Sequence, residues 1–120
     1  MATGRPVVFF EITGKDPKRL QEFYAQLFGW KIDANNPMAY GLVEAGIGGP
    51  EEGVGGGIAQ APDGQSTVTV YVQVLDLNET LRKAESMGGQ ALMPPTDLPG
   101  GPTIARMQDP EGNVIGLVKQ

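Results

Sequence analysis

The chain holds no cysteine and no histidine in its 120 residues. Without thiols there are no disulfides, no cysteine nucleophile and no thiolate metal site. Without imidazoles the commonest metal ligand and the commonest general acid–base group are gone as well. Any metal would have to be held by oxygen ligands, which favours hard ions such as Mg2+ or Ca2+. No window is apolar for the length of a membrane span, and Met1-Ala2-Thr3-Gly4-Arg5-Pro6 has none of the features of a signal peptide. A cytoplasmic protein with no membrane partner is expected. Positive charge is also scarce: nine Lys and Arg stand against fourteen Asp and Glu, a net charge of −5. That balance argues against nucleic acid as a partner, because phosphate binding needs a basic footprint. A cationic ligand is permitted.

What is present is a globular composition, 40% hydrophobic and 19% charged, over a length expected to form one domain with a core of its own. Eighteen Gly and ten Pro cluster between periodic segments and predict many turns and short strands. The clearest segment runs from Thr67 to Asp76, where Val68, Val70, Val72 and Val74 alternate with Thr69, Tyr71 and Gln73. Period two with β-branched residues predicts a strand covered by apolar groups on one face. Its other face carries Thr, Tyr and Gln where Lys, Glu or Ser would suit open solvent, and fits a semi-polar cavity.

In chain order, Val7 to Thr13 reads as a strand whose faces are Val8, Phe10, Ile12 and Phe9, Glu11, Thr13. Asp16-Pro17 starts a helix, with Asp as N-cap and Pro at the first helical position. Leu20, Phe23, Tyr24 and Leu27 form its apolar stripe, and Gly29 stops it. A strand is expected to begin at Trp30-Lys31-Ile32, a turn at Asn35-Asn36-Pro37 and another strand from Met38 to Glu44. Gly46 to Gly57, with seven glycines and a proline, reads mostly as loop, followed by a weak edge strand over Gly56 to Gln60. Beyond the Thr67 strand, Asp76-Leu77-Asn78-Glu79 caps a second helix whose buried face is Leu77, Leu81 and Ala84 and which ends at Gly88-Gly89. Strands are expected at Gln90–Met93, Thr103–Met107 and Val114–Val118, with Pro94-Pro95 to Pro102 a loop and Asp109 to Asn113 a tight turn.

Shifted by about sixty residues, the halves overlay: Phe9 falls on Thr69, Glu11 on Tyr71, Asp16 on Asp76, Gly29 on Gly89 and Gly56 on Gly116. Each half reads strand, helix, three strands. The expectation is an α+β chain of two tandem βαβββ units, about residues 6–60 and 66–119.

Phe10-Glu11-Ile12, Asp16-Pro17, Phe23-Tyr24 and Phe28-Gly29-Trp30 in the first half carry a resemblance to a known family. So do Tyr71-Val72-Gln73-Val74, Asp76-Leu77, Gly88-Gly89 and Asp109-Pro110-Glu111-Gly112-Asn113 in the second. On them the chain resembles the vicinal oxygen chelate superfamily of glyoxalases, bleomycin-resistance proteins and extradiol dioxygenases. The resemblance implies a cupped mixed sheet with both helices outside and a homodimer; exposed sheet edges argue for paired subunits too. It also places the usual metal ligands at Phe9, Thr69, Gly116 and near Gly56, none of which is a useful ligand. The chelation chemistry that names the superfamily, and any metal or other cofactor, is therefore expected to be absent.

If the fold follows the resemblance, Phe9, Glu11, Thr69, Tyr71 and Gln73 face the cup, with Trp30, Tyr40, Met93, Arg106 and Met107 as further ligand-binding candidates. Aromatic walls with a few polar groups describe a small-molecule pocket. Glu11 is the sharpest residue, either anchoring a cation or acting as general base; the plainer alternative is a Glu held by Arg106 or a backbone amide. Phe23 and Trp30 also fit simple core packing. The glycines at 53 to 57 resemble a phosphate loop by composition only, and Asp109, Glu111 and Asn113 read as a turn rather than a calcium loop. Three functions stay open: a metal-free binder of a cationic, aromatic molecule such as an antibiotic; a metal-independent isomerase, epimerase, hydrolase or lyase with Glu11 as base; and a module whose cup is filled by its own side chains.

Overall fold

The structure, a computed structural model, describes residues 4–36, 39–44 and 53–119. Within them the elements run β1 (Val7–Gly14), α1 (Pro17–Phe28), β2 (Ile32–Asp33), β3 (Gly41–Val43) and β4 (Gly55–Gln60). The second half repeats the order with β5 (Thr67–Val74), α2 (Leu77–Ser86), β6 (Gln90–Asp97), β7 (Thr103–Gln108) and β8 (Val114–Lys119). The class is α+β, two βαβββ repeats with mixed strand pairing, as the element order predicts. The residues cluster into two compact units, Phe9–Thr69 and Met1–Val8 with Val70–Gln120, here called the first and second unit.

In the first unit the strand order is β2-β3-β4-β1, with β4 parallel to β1 and antiparallel to β3. The second has β5-β8-β7-β6, with β8 parallel to β5 and antiparallel to β7. Both helices start as their sequences require. The Arg19 N–H donates to Asp16 Oδ1 at 3.1 Å, and the Glu79 N–H to Asp76 Oδ1 at 3.0 Å. Helix α1 closes on Gly29, whose φ of 69° is left-handed and suits a residue without Cβ.

The core of the second unit is Val74, Leu77, Leu81, Ala105 and Leu117, with Val72, Ala91 and Met107 packed against it. Alternation explains the set, since Val72 and Val74 on β5, Ala105 and Met107 on β7 and Leu117 on β8 all turn toward α2. In the first unit Ile58 is fully buried, and the Thr13 and Thr67 hydroxyls share a 2.7 Å hydrogen bond. Helix α1 docks with a polar group: Gln21 Nε2 donates to the carbonyl of Ile58 at 3.0 Å.

Several expectations change. The glycines at 55 to 57 are strand rather than loop, and β4 is an interior strand with a partner on each side rather than a weak edge. Glycine is used there because rings lie directly on its backbone, as shown below. Strand β2 begins at Ile32, leaving Trp30 outside it, and β3 is shorter than Met38–Glu44, with Tyr40 just before it. Pro37, Met38 and residues 45–52, where a turn residue, a strand start and part of the glycine loop are expected, lie outside the described residues. Strand β6 runs through Pro94-Pro95, which composition assigns to a loop. It is the outer strand of its unit and its register with β7 shifts twice, the setting in which proline is tolerated. Val68 is 72% exposed and so lies outside the valine-lined core, and Phe23, read as core, is 55% exposed. Among the described residues no helix is long and apolar enough to cross a membrane.

Candidate functional site

Strand register builds one cluster in each unit. In the first, β1 sets Glu11 opposite Gly57, and β3 sets Leu42 opposite the same glycine. Tyr40, two residues before Leu42, lays its ring across Gly57 so closely that a Cβ there would fall inside the ring's van der Waals surface. Its hydroxyl donates to Glu11 Oε2 at 2.8 Å. Asn36 holds the Tyr40 backbone from both sides, donating from Nδ2 to the carbonyl at 2.7 Å and accepting the N–H on Oδ1 at 2.9 Å. Phe9 sits two residues from Glu11 on the same face of β1, opposite Gly55, and both are half-buried. The result is a partly buried carboxylate with a fixed phenol donor and an aromatic neighbour.

In the second unit, β5, β8 and β7 set Tyr71, Gly116 and Arg106 in one row. Tyr71 is 4% exposed and its ring covers Gly116. Arg106 Nη2 donates to the Tyr71 hydroxyl oxygen at 3.1 Å. The register shift after Ala91 brings Met93 opposite Arg106, extending the row by a thioether. Thr69 is buried and Gln73 half-buried on the same face of β5, where the Gln73 N–H donates to the Pro6 carbonyl at 2.9 Å. The semi-polar face of this strand is thus its more protected end, which the residue types foretell.

Two candidates belong elsewhere. Trp30 lies 5.4 Å, centroid to centroid, from Phe10 and stacks on Tyr24 at 5.4 Å. Phe10 alternates with Glu11 on β1, so Trp30 is on the α1 side, away from the carboxylate. Met107 packs against the Leu77 and Leu81 core. As the neighbour of Arg106 on one strand it cannot share the face of Arg106, so listing both as pocket residues conflicts with strand geometry.

Gly57 is the residue the sequence misses. Glu11 pairs with Gly57 and Tyr71 with Gly116, so Gly57 rather than Gly56 is the first-unit counterpart of Gly116. Gly56 faces the other way and receives the Phe10 ring. A repeat overlay at one fixed shift hides the one-residue difference; a run of three glycines, each open to a different ring, is the signal that something packs there. At both Gly57 and Gly116 a phenol occupies the space a ligating side chain would need. Among the described residues no group of three or more Asp, Glu, His or Cys could hold a metal ion. Two shallow surface grooves, near 300 and 280 Å³, lie beside the ends of α1 and α2, and neither is lined by Glu11, Tyr40, Tyr71 or Arg106.

A family model described as a glyoxalase-like domain matches residues 8–118. A glyoxylase-like domain-containing protein of Didymella fabae is 32% identical over 117 residues, covering 89% of this chain and 88% of that protein. The putative glyoxylase CFP32 of Mycobacterium tuberculosis is 29% identical over 110 residues, covering 85% of this chain. The chain spans only 41% of the length of that mycobacterial relative. In fold it is similar to a glyoxalase/bleomycin resistance protein/dioxygenase superfamily member from Vibrio splendidus, with a TM-score of 0.64 at 14% identity, covering 98% of this chain and 100% of the other. At that identity the likeness concerns the fold alone.

Proposed function

The chain belongs to the glyoxalase-like domain family, and on that premise we propose that it binds a small cationic, aromatic molecule, such as an antibiotic, with Glu11 as the charged anchor and no metal taking part. The observation that carries this reading is the 2.8 Å hydrogen bond from Tyr40 to Glu11 above Gly57. A carboxylate held by a phenol and flanked by the face of Phe9 offers a cation both an opposite charge and aromatic surface. The net charge of −5 attracts the same class of ligand at a distance. Calorimetry with a panel of cationic aromatic natural products tests it. Micromolar binding to the wild type, weakened by about tenfold or more in Glu11→Gln, is expected for a charge-assisted contact. No binding across the panel, or equal binding by Glu11→Gln, overturns the reading.

The same pair favours a second reading, a metal-independent isomerase, epimerase, hydrolase or lyase. A carboxylate base with a phenol donor within hydrogen-bond reach is the minimum for moving a proton on and off one substrate. Under this reading Glu11→Gln abolishes turnover while substrate binding survives, whereas the binding reading predicts loss of affinity.

A further inference from the structure

We propose that the C-terminal half of α1 is the surface on which a second copy of this chain docks. Phe23, Leu27 and Phe28 are 55, 58 and 56% exposed, and no residue of α1 is buried. Together these three side chains present on the order of 300 Å² of apolar surface, the size of the largest patch on an ordinary monomer and often a functional one. The rings are already in place. Phe23 meets Tyr24 edge to face at 5.1 Å, Tyr24 stacks on Phe28 at 6.0 Å, and Phe28 lies 5.2 Å from Trp30. A surface whose side chains are fixed before contact loses little rotamer freedom on binding.

The chemistry of the stretch selects its partner. From Phe23 to Trp30 the chain reads Phe-Tyr-Ala-Gln-Leu-Phe-Gly-Trp, eight residues without a charge, in a protein carrying 23 charged side chains. A two-fold axis sets each residue near it against its own copy, so a charged residue there would oppose like charge. An uncharged aromatic face flanked by Glu22 and Lys31 meets that condition. A stable interface needs about 800 Å² per partner with an apolar centre and a polar rim, and this patch supplies the centre. The inference is independent of the ligand reading.

The absence of cysteine makes the test clean. Gln26→Cys places the sole thiol on the exposed side of α1 between Phe23 and Leu27. Mild oxidation is expected to yield a disulfide-linked dimer, whereas Met87→Cys, exposed at the end of α2, yields none. By sedimentation velocity the wild type is expected to be dimeric, and Leu27→Glu to raise the dissociation constant about 100-fold, as loss of a central contact does. Phe28→Glu provides the same readout at a second exposed position, and circular dichroism confirms that the fold of each variant is intact. Met87→Glu leaves the dimer unchanged. A wild type that stays monomeric up to about 200 μM, a concentration that would populate even a weak dimer, overturns the proposal. So does a dimer that survives both Leu27→Glu and Phe28→Glu, which would place the interface on a strand edge.

Discussion

Helix α1 (Pro17–Phe28) and helix α2 (Leu77–Ser86) begin alike, each with an Asp side chain accepting the N–H three residues on. They then diverge. Leu77 and Leu81 of α2 are 4 and 6% exposed and form the centre of their unit's core, while α1 buries no residue. Helix α1 is held instead by the Gln21 amide on the Ile58 carbonyl and by rings that stack among themselves. Gly41 leaves room for the Gln21 side chain, as a Cβ there would lie 2.6 Å from its Nε2. One repeat therefore spends its apolar stripe on its own core, and the other keeps it at the surface. Helical spacing foretells a stripe, and says nothing about what covers it.

The largest expected effect separates the two stripes. Leu81→Ala should cost about 2–4 kcal/mol, the range for removing a buried leucine side chain. Leu27→Ala should cost no more than about 0.5 kcal/mol, as exposed positions do, when measured at high dilution where association adds nothing. Urea denaturation gives both values, and equal costs would end the comparison between the helices.

The glycines under the phenols come next. In the second unit Tyr71 is buried and bonded by Arg106, so the ring cannot leave when Gly116→Ala inserts a methyl; about 1–3 kcal/mol of overpacking is expected. In the first unit Tyr40 is half-buried outside any strand, so in Gly57→Ala its ring swings aside at smaller cost in stability. There the loss should appear in ligand affinity, because the Tyr40–Glu11 bond goes with the ring. A larger stability loss for Gly57→Ala than for Gly116→Ala would contradict this division. Gln21→Ala should follow at about 1 kcal/mol, the worth of one side-chain hydrogen bond to backbone; a change below a few tenths would show that the amide does not hold α1.

Much of the fold is legible in the sequence because its signals are local. Asp16-Pro17, Gly29, Asp76 and the Asp109 to Asn113 turn act within a few residues, and their structures match. The alternation from Thr67 to Val74 likewise separates Tyr71 from the valines. What escapes is whatever depends on a partner strand. Gly55, Gly56 and Gly57 look like loop until β1 and β3 flank them, and Pro94-Pro95 look like a break until β6 is seen as an outer strand. Within the site, Glu11 and Tyr71 follow from alternation, and Arg106 was a candidate whose partner became visible only with the register. Trp30 and Met107 were misplaced by family expectation where simple alternation and ring stacking decide otherwise. The Asn36 clamp on Tyr40 had no sequence signal, since Asn in a turn reads the same whether or not it holds its neighbour.

The smallest effect concerns the turn that joins β7 and β8 in the second unit. Asp109 accepts from the Asn113 side-chain amide on Oδ2 and from the Asn113 and Glu111 N–H groups on Oδ1, each at 2.9 Å. These bonds, led by the Asn113 side chain, hold its carboxyl below the ordinary value of 3.8. A carboxyl whose folded pKa is depressed contributes stability above its unfolded value and loses it as pH falls through the folded one. The contribution should be complete above about pH 4 and fade below it, and the side chain's exposure keeps it small. Carbon-detected NMR titration should place the Asp109 midpoint below that of an unstructured Asp. Thermal melting on the acid side should fall less steeply for Asp109→Asn than for the wild type. A midpoint at or above 3.8 would mean that the turn is held by Gly112 and the backbone alone, and that Asp109 only accompanies it.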